Sequence, residues 1–237
     1  MALFDIKTDG NIAVLTMNSG ENRFNLAFCK GYLSALDEIE NNKNINTLVV
    51  TSAHEKIWSN GLDLEWLMPA IARNDPEVQQ FVEAEDEVMK RIQFFPMLTI
   101  GAITGHAFAA GAILACCFDF RFIRSDRGYF CLPEVDLNIP ILGYQVAIVR
   151  KALPMRMVEE AMFTGKRFTG LECESSGFVR KACPPDQVVN EAVAFAKTLN
   201  KGREIVSIMK KTLYADITYL TEHIERHKLD PNNVPIK

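Results

Sequence analysis

Hydrophobic and polar residues follow two different periodicities at the start of the chain. Residues 3–17 (LFDIKTDGNIAVLTM) alternate apolar and polar side chains on both sides of Asp9-Gly10. This pattern predicts two paired β-strands joined by a two-residue turn. After Asn25, a residue type that favours helix N-termini, apolar residues recur at helical spacing from Leu26 onward. The chain is therefore predicted to open with a β-hairpin and an amphipathic helix.

Short apolar runs then alternate with helical patterns. Buried strands are predicted at TLVVTS, MLTIGAI and FDFRFIRS, and FAAGAILACC predicts a helix of small residues before the last of these. LDLEWLMPAI predicts a short helix that ends near Pro69, and Asp75-Pro76 marks the start of a longer helix. GYFCLPEVDL is predicted to be extended and to stop before Pro140, and helical patterns dominate from residue 141. The expected fold class is an α/β core followed by a helical extension.

Composition excludes several classes of protein. The chain has 237 residues, 48% of them hydrophobic, which is enough for a sizeable core. A net charge of −4 without a long basic run argues against a nucleic-acid partner. The six cysteines form no C-x-x-C pair, which favours reduced thiols used as small hydrophobic residues. The sequence shows no apolar run of about 18 residues, no secretory n-region and no S-K-L ending, so a cytoplasmic protein without a membrane partner is expected.

Two glycine-bearing junctions each follow a predicted strand and precede a predicted helix. They are residues 59–63 (SNGLD) and residues 105–111 (GHAFAAG). A helix N-terminus exposes unpaired N–H groups with partial positive charge, so the two junctions together form a candidate oxyanion hole. The competing interpretation is that Gly105 and Gly111 only allow a helix of small residues to pack tightly on the sheet. Neither junction matches a Walker loop or a G-x-G-x-x-G motif.

A pair of carboxylates is the third candidate feature. Glu134 and Asp136 lie two residues apart in the segment predicted to be extended, which would place both side chains on one face. The apolar neighbours Leu132 and Val135 favour a raised pKa, as a general base acting near neutral pH requires. The alternative is a pair of exposed surface acids, and only one of the two need be functional.

Other chemistry-bearing residues are weaker candidates. His223 and His227 lie four residues apart in a predicted helix, but HIERH does not match H-E-x-x-H, so a solvated face is expected and no metal site. Ser59 has no histidine or acid at a recognised spacing, which argues against a serine nucleophile. Cys131 is expected to be a buried, inert thiol rather than a nucleophile. Asp63 follows the first junction and is expected to cap the short helix.

The order and combination of these motifs resemble the enoyl-CoA hydratase/isomerase (crotonase) superfamily over almost the whole chain. WSNGLDL is similar to the family signature FSxGxDL, and TGHAFAAGAILACCFD is similar to the family segment NGHxxxxG…D. The resemblance implies a β-β-α superhelical core in residues 1–185 that binds an acyl-CoA thioester, and a helical trimerisation region in residues 186–237. It also implies a homotrimer or hexamer, and no cofactor apart from the coenzyme A of the substrate.

The resemblance assigns the family's functional residues to matching positions of this sequence. The backbone N–H groups of Leu62 and Ala110 would bind the thioester oxygen while an enolate forms, with Glu134 as the catalytic base. Contacts with the coenzyme A portion are assigned to the first turn and to side chains near it, namely Arg23, Lys56, Ser59, Asn60, Gly61 and Asp63.

Departures from the family pattern reduce the number of reactions that the resemblance allows. Family hydratases use two glutamates, and the first of these positions is Ile113 here, which argues against efficient hydration. Dienoyl-CoA isomerases add an aspartate where this chain has Leu142, and Asp136 is assigned a structural role. The single glutamate and the run SDRGYFCLPEVDLNIP resemble plant 3,2-enoyl-CoA isomerases. Glu134 would then move a proton from C2 of a 3-enoyl-CoA to C4, in fatty-acid degradation.

Two alternatives stay open on the sequence alone. The first is another acyl-CoA reaction on the same scaffold, such as hydration, thioester hydrolysis or decarboxylation. The second is a non-catalytic acyl-CoA-binding homologue. Glu134 discriminates between catalysis and binding, because a binding module needs no carboxylate beside the acyl pocket. The helix within LEWLMPAIARN is expected to line that pocket.

Overall fold

Parallel strands connected by helices form the core of the molecule, as seen in a computed structural model that describes residues 2–223. In this range, strands β1 to β10 are Phe4–Asp9, Ile12–Met17, Thr47–Ser52, Ile57–Ser59, Leu98–Ile103, His106–Phe108, Phe120–Arg124, Tyr129–Cys131, Phe168–Thr169 and Lys181–Cys183. Helices α1 to α11 of the same range are Leu26–Asn41, Leu64–Ala72, Glu77–Gln93, Ala110–Cys117, Glu134–Leu137, Gly143–Ala152, Met155–Thr164, Gly170–Ser175, Val188–Lys197, Arg203–Leu213 and Ala215–His223. The predicted α/β class is confirmed.

Two sheets organise these strands. The larger has the order β1-β2-β3-β5-β7-β10, and the smaller has the order β4-β6-β8-β9. In the larger sheet β1 is antiparallel to β2, and the other neighbouring pairs are parallel. In the smaller sheet β4, β6 and β8 are parallel, and β9 is antiparallel to β8. The carboxyl ends of β4, β6 and β8 therefore share one edge, which brings the residues after each strand together.

The turn of the N-terminal hairpin lies one residue later than predicted. The last pair of the ladder is Asp9 with Ile12, so the two turn residues are Gly10 and Asn11. Gly10 has a φ of +60°, a conformation that glycine adopts without a steric penalty. Asp9 is the last residue of β1 and not part of the turn.

Helix α1 begins at the predicted cap. Asn25 Oδ1 accepts a hydrogen bond from the backbone N–H of Phe28 at 2.9 Å. The side of α1 that faces the core carries the buried residues Leu26, Phe28, Cys29, Tyr32, Ala35, Leu36 and Ile39. This helix packs along α3, and Arg91 of α3 donates a hydrogen bond to Asp37 of α1 at 2.8 Å. The periodicity thus located a helix and its buried face.

Helix α2 runs through Pro69 to Ala72, so the prediction that it ends near Pro69 is wrong. The proline ring removes the hydrogen bond that an N–H at this position would donate to the carbonyl of Glu65. Leu67 and Ala70 are buried on the inner side of α2, and this packing offsets the lost hydrogen bond.

The helical region after residue 185 is partly integrated with the core. Val188, Ala192 and Ala196 of α9 are fully buried against one face of the larger sheet. The six cysteines are free and buried, as predicted. Among residues 2–223, no helix is long and apolar enough to cross a membrane, and no group of three or more potential metal ligands is found. The side chains of His223 and His227 lie outside the described part of the chain.

Candidate active site

The first junction is a tight turn after β4 that only glycine fits. Gly61 has a φ of +74°, in the left-handed region that favours glycine. A Cβ at Gly61 would lie 2.8 Å from the Cβ of Ala109 and 3.2 Å from the backbone nitrogen of Ala110. The first junction therefore contacts the second directly, as the candidate oxyanion hole requires.

The second junction holds a non-glycine residue in a strained conformation. Ala109, between β6 and α4, has a φ of +51° and a ψ of −126°. Such a conformation in a residue with a Cβ costs about 1–3 kcal/mol and is found most often at functional sites. The Ala109 N–H donates to the carbonyl of Cys131 at 3.1 Å, which joins this junction to the end of β8.

Gly105 and Gly111, by contrast, are packing residues. A Cβ at Gly105 would lie 2.4 Å from the carbonyl oxygen of Lys56, and a Cβ at Gly111 would lie 2.6 Å from that of Ser59. These glycines allow β6 and α4 to approach β4 closely. The packing interpretation is thus correct for this pair, while the turns themselves are formed at Gly61 and Ala109.

The backbone N–H groups without a hydrogen-bond partner among the described residues include those of Leu62 in the first junction and Ala110 in the second. The backbone on both sides of Leu62 is held, because Phe24 N donates to Gly61 O at 2.8 Å and Asp63 N donates to Phe24 O at 2.9 Å. Ala110 is the first residue of α4, and no side chain caps that helix end. Two preorganised donors of this kind can stabilise a developing oxyanion.

Glu134 lies in a single helical turn. The extended conformation predicted for residues 128–137 is confirmed at Tyr129–Cys131, in β8, and is wrong at Glu134–Leu137. The carbonyl of Pro133 accepts hydrogen bonds from the N–H groups of Asp136 and Leu137, which closes the turn α5. Residues two apart in a helix point to different sides. Glu134 is accordingly buried, with 7% of its surface exposed, whereas Asp136 is exposed. The expectation that both acids share one face is therefore wrong, as is the alternative of two exposed surface acids.

The surroundings of Glu134 suit a general base. Its Oε2 atom is buried and has no hydrogen-bond partner among the described residues. Burial raises the pKa of this carboxyl from its ordinary 4.5 to about 7, and a hydrogen bond from its own backbone N–H opposes the shift in part. The carboxylate and the carboxylic acid are thus both populated near neutral pH, as proton transfer requires.

Asp63 and Ser59 support the first turn from inside. Asp63 caps α2, because its carboxylate accepts hydrogen bonds from Trp66 N at 3.4 Å and from Asn25 Nδ2 at 2.9 Å. The predicted cap is confirmed. Ser59 is fully buried, and its hydroxyl donates to the carbonyl of Asn22 at 2.8 Å. The predicted coenzyme A contacts of these two residues stay predictions, and the Ser59 hydroxyl already has a partner within the protein.

Arg23 and Asn60 lie beside a polar cleft of about 340 Å³ next to the first turn. Arg23 forms ion pairs with Glu21 at 2.8 Å and Glu65 at 2.9 Å, and Asn60 donates to Glu21 at 3.0 Å. The two carboxylates, which the sequence did not single out, offset the charge that Arg23 would offer a phosphate. Lys56 is exposed just before β4, at the end of that strand opposite to the turn. Their contacts with coenzyme A stay predictions.

Apolar side chains occupy the two positions at which the resemblance in the sequence leads us to look for further acids. Ile113 is buried one turn beyond Ala110 in α4, and Leu142 precedes α6. A second buried carboxyl group does occur, at Glu85 of α3. No motif pointed to it, although its place on the apolar stripe of α3, one turn before Met89, is the signal that would have revealed it.

Comparison with known proteins identifies the family and the fold. Residues 7–233 match the family model described as enoyl-CoA hydratase/isomerase. The peroxisomal enoyl-CoA delta isomerase 2 of Arabidopsis thaliana is 31% identical over 217 residues, which cover 88% of this chain and 90% of the relative. Enoyl-CoA delta isomerase 3 of the same plant is 28% identical over 220 residues, covering 90% and 92%. The crystal structure of a probable enoyl-CoA hydratase from Mycobacterium tuberculosis matches the fold with a TM-score of 0.83 at 24% identity, covering 91% of this chain and 89% of that one.

Proposed function

The chain belongs to the enoyl-CoA hydratase/isomerase family, and from this premise we propose that it moves the double bond of a 3-enoyl-CoA to the 2-position. It is an acyl-CoA enzyme of the crotonase type. The observation that carries the finer assignment is the buried carboxyl of Glu134 in the turn after β8, together with the unpartnered N–H groups of Leu62 and Ala110 and with Ile113 at the position of a second acid.

The proposed mechanism uses one base and two backbone donors. The Glu134 carboxylate takes a proton from C2 of the 3-enoyl-CoA, and the electron pair of the broken C–H bond forms a dienolate. The negative oxygen of the dienolate is bound by the N–H groups of Leu62 and Ala110, which contribute about 3–4 kcal/mol each by comparison with other oxyanion holes. The carboxylic acid of Glu134 then returns its proton to C4, which leaves the conjugated 2-enoyl-CoA and restores the carboxylate.

The apolar replacement at Ile113 supports isomerisation over hydration. Addition of water needs a group that orients and deprotonates the water while another protonates C2. The side chain of Ile113 offers neither hydrogen bond nor proton. The names of the two Arabidopsis relatives, both delta isomerases, support the same choice. A role in fatty-acid β-oxidation, a cytoplasmic location and a homotrimer or hexamer belong to this proposal, and light scattering after size exclusion measures the assembly.

A pair of substrates tests the proposed reaction. Purified protein is mixed with trans-3-hexenoyl-CoA or with trans-2-hexenoyl-CoA, and the absorbance of the conjugated thioester is followed. We expect it to appear from the 3-enoyl substrate. Its disappearance from the 2-enoyl substrate alone would instead establish hydration. Absence of change with both substrates would favour another acyl-CoA reaction, or binding without catalysis, and would overturn the isomerase proposal.

A further inference from the structure

The loop between β2 and α1 pairs with the backbone on both sides of the donor in the first junction. Asn60 N donates to the Glu21 carbonyl at 3.1 Å, and Phe24 N donates to the Gly61 carbonyl at 2.8 Å. Asp63 N donates to the Phe24 carbonyl at 2.9 Å. These main-chain hydrogen bonds fix the residues before and after the donor, and none of them uses the donor N–H itself.

One side chain of this loop, Asn22, is fully buried and hydrogen-bonded at every polar group. Its Nδ2 donates to the Trp58 carbonyl at 2.9 Å and to Ser52 Oγ at 2.8 Å. Its Oδ1 accepts from Ser19 N at 2.9 Å, and its own backbone N–H donates to the Ser19 carbonyl at 2.8 Å. The Asn22 carbonyl accepts from the Ser59 hydroxyl at 2.8 Å. A buried amide that is fully satisfied holds its partners in one arrangement.

Asn22 thereby connects two strands to the start of the first turn. Ser52 is the last residue of β3, and Trp58 lies in β4. Ser59 Oγ, which donates to the Asn22 carbonyl, also accepts from Gly61 N at 3.4 Å. The hydrogen bonds that meet at Asn22 therefore run from β3 through β4 to the residue directly before the donor.

The backbone of Asn22 lies in the left-handed region, with a φ of +50°. Asparagine is enriched among the non-glycine residues that adopt this conformation, which persists where the surroundings over-determine it. Here it lets the side-chain amide and the main-chain carbonyl of one residue reach β4 together. The conformation is thus part of the arrangement that holds β4.

The direction of a donor N–H matters more in the transition state than in the bound substrate. An oxyanion-hole donor has to lie about 2.7–3.1 Å from the developing oxyanion, and a displacement of about 1 Å can lower the rate ~100-fold. The Leu62 N–H has no hydrogen bond among the described residues, so its direction depends on Gly61 and Asp63, which the loop holds. A residue that fixes this backbone should therefore affect kcat more than substrate affinity.

We propose that Asn22 is a positioning residue for the Leu62 donor, because its side-chain amide holds β4 so that the N–H of Leu62 points at the thioester oxygen. This inference rests on the function proposed above, since it concerns the same oxyanion hole. Asn22 acts through main-chain groups of β4 and the first turn and takes no part in proton transfer. Its loss should weaken the polarisation of the thioester carbonyl and leave the rest of the binding site in place.

Infrared spectroscopy of a bound thioester measures this polarisation. Hexanoyl-CoA labelled with carbon-13 at the carbonyl is added to the wild-type protein and to Asn22→Gly, and the carbonyl stretching frequency is compared with that of the free thioester. Glycine adopts a φ of +50° without strain, so this variant removes the amide and keeps the backbone conformation. We expect binding to the wild-type protein to lower the frequency. About half of that displacement should be lost in Asn22→Gly, because one of two donors is affected.

Kinetics and calorimetry separate positioning from binding. In Asn22→Gly, kcat on trans-3-hexenoyl-CoA should fall by about 10–100-fold, and the Kd of hexanoyl-CoA should stay within about threefold of wild type. Asn22→Asp keeps the shape of the side chain and replaces its donor with an acceptor. It is the second variant and should show the same changes.

Asn18→Asp is the matched control, since Asn18 is an exposed asparagine directly after β2 and should leave both frequency and kcat unchanged. A wild-type carbonyl frequency in either folded Asn22 variant would overturn the inference, even if stability or affinity were reduced. It would also be overturned if binding to the wild-type protein left the frequency unchanged. If the frequencies change as expected but the wild-type protein converts no 3-enoyl substrate, the isomerase proposal fails and the role of Asn22 stands.

Discussion

The two ends of helix α4 differ in whether their buried polar groups have hydrogen-bond partners. At the N-terminal end, the N–H of Ala110 and the Oε2 of nearby Glu134 have no partner among the described residues. At the C-terminal end, the Lys151 ammonium donates to the carbonyls of Cys117 and Phe118 at 2.9 and 3.2 Å. Arg121 adds a hydrogen bond to the Phe118 carbonyl at 2.6 Å. Cations are favourable at a helix C-terminus, where the backbone carbonyls lack partners.

A third cation near this end, Lys210, connects α10 to the residues just before β5 and β7. Lys210 of α10 pairs with Asp119 at 2.7 Å and donates to the carbonyls of Phe95 and Met97. Asp119 in turn accepts hydrogen bonds from Thr99 in β5. Partnered groups at one end hold helix and sheet in place, while the unpartnered groups at the other end are those that we propose bind the substrate. Mutations at the two ends should therefore affect different quantities.

The largest expected effect is on catalysis at the N-terminal end. Glu134→Gln removes the base but keeps the shape of the side chain, so kcat should fall by about 10²–10⁴-fold. Its thermal stability should be equal to or above that of wild type, because a buried carboxyl without a partner is removed. Isomerase kinetics and thermal unfolding measure both. Asp136→Asn, at the exposed neighbouring acid, is the control, and full activity in Glu134→Gln would disprove the assignment.

The corresponding change at the C-terminal end should affect stability. Lys210→Met leaves Asp119 buried without its cation, which should lower the free energy of unfolding by about 3–5 kcal/mol. Denaturant titration measures it, and Lys211→Met at the exposed neighbour should change little. The kcat of the folded fraction should stay within a few-fold of wild type. A selective loss of kcat without loss of stability would contradict the division between the two ends.

Removing a single backbone N–H group measures its contribution to the oxyanion hole. Ala110→Pro eliminates the donor at the first position of α4, where proline is compatible with a helix. We expect kcat to fall by about 10²–10³-fold. Ala110→Gly keeps the N–H and is the matched control. Comparable kcat in the proline and glycine variants, with both folded by circular dichroism, would show that this amide does not bind the oxyanion.

The smallest expected effect is the pH dependence due to Glu134. Since the base acts as a carboxylate, kcat/KM should fall about tenfold per pH unit below a pH of about 7. Because the folded state holds this proton more tightly than the unfolded state, its stabilising contribution is complete below pH 4.5 and is lost as pH rises to about 7. The stability of Glu134→Gln relative to wild type should therefore increase across that range. A difference independent of pH would show that the pKa of Glu134 is not raised.

Local patterns predicted much of the fold and part of the site. The caps Asn25 and Asp63 were predicted correctly, because capping depends on a few adjacent residues. The proline within α2 misled the prediction of its end, since burial of other residues in that helix offsets the missing hydrogen bond. The prediction that Glu134 and Asp136 share one face failed, because a change from extended to helical periodicity over four residues is too short to detect.

Hydrophobic periodicity, turn residues and motif order were sufficient for the α/β class, the family and the candidate donors, since these depend on short stretches of chain. Tertiary structure alone decided which groups are unpartnered. The contact between Gly61 and Ala109 and the burial of Glu134 arise only when β4, β6 and β8 end at one edge. Hydrogen-bond satisfaction and burial depend on residues distant in sequence, and these properties determine the chemistry of the site.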